Sequence, residues 1–215
     1  MNELRYTLVS DGSSDASLLP VLNWLLVENG VTRPLRPTWA DLGRIKLPTN
    51  PSLADKLRIS LEYYPCELLF VHRDAESQSR EARVAEIENA VSAVTPSPPV
   101  VCVIPVRMVE AWLLIDANAI KSAAGNSRYA GNLTLPDVSR LERLPDPKEI
   151  LHELLKQACD LNRRRLRRYP VHQYARRVSD FIRDFSALRR LDAFNALEEE
   201  ILAAIESHQW NQMGQ

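Results

Sequence analysis

The sequence predicts an α/β fold, with a mainly parallel sheet flanked by helices and a C-terminal helical extension. Three observations carry this. The runs Leu4 to Ser10, Leu68 to His72 and Val100 to Val106 are short and rich in Val and Leu, as strands buried on both faces must be. Helical patterns separate them. From about Gly125 the pattern changes to loop and helix, which divides the chain into an α/β domain over 1–124 and a helical extension over 125–215 packed on it.

Taken in order, Leu4 to Ser10 carries Tyr, Thr and Val and reads as the first strand. Ser13 or Ser14 can cap the helix in which Leu18, Leu19, Leu22, Leu25 and Leu26 recur, and Gly30 ends it. Pro34, Pro37 and Pro48 leave room for a short irregular strand near Pro37 to Leu42. Ser52 to Tyr63 reads as a helix. Leu68 to His72 is the second clear strand and opens into Arg73-Asp74-Ala75-Glu76-Ser77. Arg80 to Val94 is an amphipathic helix with Val84, Ile87 and Val91 on one face. Pro96, Pro98 and Pro99 form a loop before the strand Val100 to Val106, and Val109 to Ala119 reads as a short apolar helix. Further on, Asp146 is a good N-cap, Pro147 suits the first helical position and Glu149 completes a capping box. Helices follow over Glu149 to Asn162, His172 to Phe185 and Leu188 to Ser207, with a frayed tail from Gln209 to Gln215.

Composition limits the function. Hydrophobic residues at 45% and charged residues at 26% fit a soluble globular protein. A net charge of −1 gives no whole-molecule attraction to nucleic acid or membrane, so any such preference must be local. The N-terminus lacks a basic segment followed by an apolar core, and no apolar run approaches the ~18 residues of a membrane span. A cytoplasmic location is therefore expected, with no membrane partner. Cys66, Cys102 and Cys159 are odd in number and widely spaced, and read as free thiols of a reducing compartment. His152, His172 and His208 stand apart in sequence without paired Cys or His, so no zinc site is read.

Two acidic clusters, Asp11 to Asp15 and His72 to Glu76, each follow a strand. In a parallel sheet the ligand crevice lies beyond the carboxyl ends of the strands, so both belong there. Asp11, Asp15, Asp74 and Glu76 offer the oxygen ligands that hard divalent cations take. The spacing alone equally fits turn and helix-start residues.

The stretch LVSDGSSDASLLPVL resembles the first Toprim motif, Glu-Gly-x-x-Asp after the opening strand, and LLFVHRDAES resembles the second, Asp-x-Asp. IPVRMVEAWLLID and LPDPKEILHELL resemble signatures of a bacterial Toprim-like group, the domain of unknown function 4276 family. The resemblance spans nearly the whole chain. It implies a Toprim-like Rossmannoid fold, related to nucleases of the overcoming-lysogenization-defect type. It further implies Mg²⁺ or Mn²⁺ held by Asp11, Asp15, His72, Asp74 and Glu76, with Asp15, Asp74, Glu76 and Glu110 in catalysis. Such proteins are often encoded beside a Rad50-like ATPase, with suspected roles in defence against phage or foreign DNA. The chain departs from the pattern twice. Asp11 stands where glutamate is expected, and His72 stands where the first aspartate of Asp-x-Asp is expected. Imidazole suits Mn²⁺ or Zn²⁺ better than Mg²⁺.

Glu110 lies just past the third strand, as a further ligand or general base, or as a glutamate paired with Arg107 or Arg73. Lys148 can reach a phosphate, although its helix-start context explains it as well. Between Arg163 and Arg190 lie ten arginines and two aspartates, a local balance of +8. Arg163, Arg164, Arg165, Arg167 and Arg168 are the densest part, and Tyr169 could stack on a base. The pattern fits a DNA or RNA strand, an acidic partner surface, or a solvated helix face. There is no P-loop, GxGxxG or Gly-x-Ser-x-Gly, so any ATP hydrolysis belongs to a partner. The expected function is metal-dependent phosphodiester cleavage of nucleic acid, and the alternative is an inactive binding subunit that docks on an ATPase or on nucleic acid. DNA versus RNA, and monomer versus homodimer, stay open.

Overall fold

The computed structural model describes residues 3–75 and 78–212. Four strands form one parallel sheet: β1 (Leu4–Val9), β2 (Leu35–Trp39), β3 (Leu68–His72) and β4 (Val100–Val103), in the order β2-β1-β3-β4. Helix α1 (Leu18–Glu28) packs on one face, and α2 (Leu53–Tyr63) and α3 (Arg80–Ser92) on the other. The period-2 alternation of the strands feeds both faces. Tyr6, Leu8, Phe70 and Val103 join the core on the α1 side, while Val9, Leu69, Val71 and Cys102 join the α2/α3 side. The continuous apolar runs in the sequence thus have a physical cause, because each strand is covered twice.

Local signals set several boundaries. Gly30, at φ +92°, follows the last turn of α1, and the next N–H, of Val31, bonds back to Leu26. Ser52 caps α2 by accepting from Asp55 N–H, and the Asp55 carboxylate accepts the Ser52 N–H in return. Neither Ser13 nor Ser14 caps α1. A 3₁₀ turn over Ser13–Ser17 intervenes, started by the Gly12 N–H donating to Asp15 Oδ2 at 2.9 Å. The second strand begins at Leu35, earlier than the prolines suggest. Pro37 is tolerated because β2 is an edge strand that pairs only with β1.

The expected helix Val109 to Ala119 is two pieces, a 3₁₀ turn over Val109–Leu113 and helix α4 (Ala117–Ala123). Asp116 separates them by capping the N–H groups of Asn118 and Ala119, which starts a new helix. Beyond it come α5 (Pro147–Ala158), α6 (Arg163–Leu166), α7 (Val171–Arg176) and α8 (Asp192–His208). Asp146 caps α5 as the sequence predicts, accepting from Glu149 N–H at 2.9 Å. The expected helix His172 to Phe185 is shorter and ends in a 3₁₀ turn at Ser179–Phe181.

The extension completes the α1-side core. Trp112 is 1% exposed and meets Phe194 of α8 edge-on at 5.4 Å. Glu200 of α8 accepts the Cys102 N–H at 2.7 Å, covering the outer edge of β4, and also pairs with Arg80. Trp210, within the stretch expected to fray, is buried and stacked with His208. No helix among the described residues is long and apolar enough to cross a membrane.

Candidate functional site

The connection leaving β1 runs to β2 on one side, and the connection leaving β3 runs to β4 on the other. β1 and β3 are neighbours, so their C-terminal ends form a topological switch point, where α/β sheets open a crevice. Asp11 and Asp15 follow β1, and His72 and Asp74 sit at the end of β3. With Arg73 and Arg83 they line one cavity of about 200 Å³. The two acidic segments predicted to meet across the strand ends do meet. Glu76 lies outside the described residues.

His72 forms the floor at 3% exposure. Its Nδ1 lies 2.9 Å from the carbonyl oxygen of Val103 on β4. A carbonyl only accepts, so Nδ1 carries the hydrogen. Burial lowers the His72 pKa below the ordinary imidazole value, against the opposing pull of Asp15, the Val103 bond and Asp11. The neutral ring therefore presents an Nε2 lone pair, 3.5 Å from Asp74 Oδ1 and 3.9 Å from Asp15 Oδ2. Three electron-rich atoms face one another, an arrangement that attracts a cation.

Asp11 is in a different state. Lys56 Nζ, from α2, lies 2.6 Å from Asp11 Oδ1, and Arg73 binds Asp11 Oδ2. Burial alone would raise the Asp11 pKa, but the Lys56 hydrogen bond and the charges of Arg73 and Lys56 hold it below the usual carboxylate range. Arg73 also reaches Glu86 at 3.0 Å, and Arg83 reaches Glu86 at 2.8 Å and the Asp74 backbone carbonyl at 3.0 Å. The network runs from α2 through both strand ends to α3.

The resemblance carried by the sequence motifs implies a divalent cation at this crevice. A bond of about 2.1 Å sets neighbouring ligand atoms about 3.0 Å apart in an octahedron and about 3.4 Å apart in a tetrahedron. The distances from His72 Nε2 are 3.5 Å to Asp74 and 3.9 Å to Asp15, near the tetrahedral separation for the first and longer than either for the second. Among the described residues no group of three His, Cys, Asp or Glu side chains is already placed to hold a metal ion. The donor chemistry of Asp15, Asp74 and His72, two carboxylates and one imidazole, is compatible with a divalent cation such as Mn²⁺. Asp11 does not fit, because both its oxygens already serve cations.

The remaining expected residues lie elsewhere. Glu110 does not line the acidic cavity. It borders a neighbouring one of about 120 Å³ together with Ser14, Ser17, Lys148 and His152. The 3₁₀ turn Ser13–Ser17 divides the two, with Asp15 bordering the first and Ser14 and Ser17 the second. The partner of Glu110 is Lys148, at 4.0 Å, rather than Arg107 or Arg73. Arg163, Arg164, Arg165, Arg167 and Arg168 are exposed and make no ion pair or side-chain hydrogen bond among the described residues. Tyr169 is already stacked on Tyr174 at 4.6 Å and 7°, which leaves only one ring face for a base. His152 and His172, far apart in sequence, bring their rings to 4.6 Å.

Sequence reasoning missed Lys56, Arg83, Glu86 and the His152/His172 cavity. Lys56 is mid-helix and 45 residues from Asp11, with no local signal of its role. No family model matches this chain, and neither a curated protein nor a solved structure matches it. The resemblance to Toprim-like proteins therefore rests on the sequence motifs.

Proposed function

We propose that this protein is a nuclease-like, divalent-cation-dependent phosphodiesterase acting on nucleic acid. The observation that carries the reading is the His72 lone pair facing Asp15 and Asp74 at a switch-point crevice. In this reading Asp15, Asp74 and His72 hold the cation, and the imidazole shifts preference from Mg²⁺ toward Mn²⁺. A bound cation there would supply Lewis acidity at the scissile phosphate and an activated water. Val103 keeps the His72 lone pair turned toward the carboxylates. Arg73 and Arg83 line the same crevice and brace it, holding Asp11, Glu86 and the Asp74 carbonyl. Arg163, Arg164, Arg165, Arg167 and Arg168 hold the strand. A Rad50-like ATPase partner and a role against phage or foreign DNA follow from the resemblance alone, and the absence of a P-loop from the sequence assigns ATP hydrolysis to that partner.

A second reading has its own observation. Lys56 and Arg73 neutralise Asp11, the residue at the first-motif carboxylate position. A site closed in this way suits a binding subunit that has kept the fold and lost cleavage.

Incubation of plasmid and single-stranded substrates with Mn²⁺ or Mg²⁺, using wild type and Asp74→Ala, separates the two. The nuclease reading expects cleavage by wild type, faster in Mn²⁺, and its loss in Asp74→Ala. Equal cleavage by both proteins refutes the site. No cleavage by wild type, together with no Mn²⁺ binding in calorimetry, leaves the binding-subunit reading.

A further inference from the structure

We infer that the second cavity, between the Ser13–Ser17 turn and helices α5 and α7, is a binding site for a phosphomonoester. This deepens the nucleic acid reading, since the natural ligand would be the terminal phosphate of a strand.

The cavity has a built polar interior. Its volume, about 120 Å³, is on the order of four waters, the scale of one tetrahedral oxyanion with a little solvent. His152 borders it at 5% exposure, and its Nε2 is buried with no hydrogen-bond partner among the described residues. A buried, unsatisfied ring nitrogen costs free energy, and a ligand that drew the His152 ring toward the cavity would relieve that cost. His172, edge-on to His152 at 4.6 Å, stands at the solvent side.

The charge has the sign an anion needs. Lys148 and Arg176 border the cavity, against one carboxylate, Glu110. Arg176 makes no ion pair or side-chain hydrogen bond among the described residues. Lys148 is 4.0 Å from Glu110, too far for a hydrogen bond, so the ammonium can turn to a ligand while Glu110 keeps it near. The Ser14 hydroxyl borders the cavity and gives its one hydrogen to Asp15 at 3.2 Å, which links this cavity to the acidic one. Burial first, and then the facing His172 ring, hold the His152 pKa below its usual value against the pull of Glu149. A phosphomonoester brings about −1.5 to −2 charges and three acceptor oxygens, matching two cations and a set of convergent donors.

Charge favours a terminal phosphate over an internal one. A phosphodiester carries one charge, whereas two cations against one carboxylate match the higher charge of a free end. Anchored there, a strand would reach over the Ser13–Ser17 turn toward Asp15, His72 and Asp74.

The test uses inorganic phosphate and three oligonucleotides of one sequence, bearing a 5′-phosphate, a 3′-phosphate or hydroxyls at both ends. Inorganic phosphate should bind saturably in calorimetry. One of the two phosphorylated strands should bind about tenfold more tightly than the hydroxyl-ended strand, the gain of one charge-assisted contact. In Lys148→Met and Arg176→Met, both partly or fully exposed positions whose folding is checked by circular dichroism, that ratio should fall toward one. Phosphate binding without any oligonucleotide binding would keep the pocket, identify a free phosphate compound as its ligand and remove the nucleic acid reading. No phosphate binding and equal affinity for all three strands would overturn the pocket. Unchanged phosphate binding in both variants would overturn it as well.

Discussion

Replacing Arg164, Arg165, Arg167 and Arg168 by glutamine should flatten the salt dependence of nucleic acid binding by a calculable amount. Helix α6 is a single turn, and its partly buried Leu166 packs on the core. At ~100° per residue, Arg164 points away from the core, Arg165 flanks it and Arg163 lies nearer the Leu166 side, while Arg167 and Arg168 follow in the turn beyond the helix. All four replaced arginines are exposed to an incoming strand. Each phosphate contact contributes about 0.7 to the log–log salt slope for a single strand and about 0.9 for a duplex, so four contribute about 2.8 to 3.6. Between about 50 and 200 mM salt, those four contacts alone correspond to an affinity loss of roughly 50- to 150-fold in wild type. The assay is fluorescence anisotropy of a labelled oligonucleotide across that range, with wild type and the quadruple variant compared by slope. A slope difference near three supports the surface. Weaker binding with an unchanged slope would refute it, because the arginines would then act through something other than phosphate contact.

Trp112→Ala should cost about 3–5 kcal/mol, the usual cost of deleting a large buried aromatic. Because Trp112 also meets Phe194, urea titration should show α8 loosening with the rest of the fold. His72 and His152 both have pKa values lowered by burial, so the unfolded chain takes up protons near pH ~6.5 while the folded chain resists them. Their contribution to stability is present above that pH and is lost as the pH falls toward the folded-state values. The melting temperature should therefore drop from pH 7.5 to pH 5, and much of that drop should disappear in His72→Gln/His152→Gln. An unchanged pH profile in the double variant would contradict the assignment.

Near-continuous apolar strands alternating with helices identified a parallel sheet, because a strand covered twice has no polar face to display. The same pattern placed Asp11, Asp15, His72 and Asp74 at strand ends, and strand ends of a parallel sheet face one crevice. The cap at Asp146 was readable because a cap is a contact between residues three positions apart. The breaks in the later helices were harder to read. Asp116 begins a new helix only because the chain turns to pack Ala119 and Ile120 into the core, and local periodicity carries no record of that turn.

The sequence by itself determined the fold class, the strand-end acidic residues and a run of exposed arginines, all of which depend on local pattern and on the general geometry of parallel sheets. Only the tertiary structure decided the state of each carboxylate. Lys56 arrives from α2 to claim Asp11, Val103 arrives from β4 to fix the His72 tautomer, and α5 takes Glu110 away to Lys148 in a separate cavity. Those outcomes depend on distances of a few ångströms between residues remote in sequence. Coulomb and hydrogen-bond energies change over that range, and residue order does not encode it.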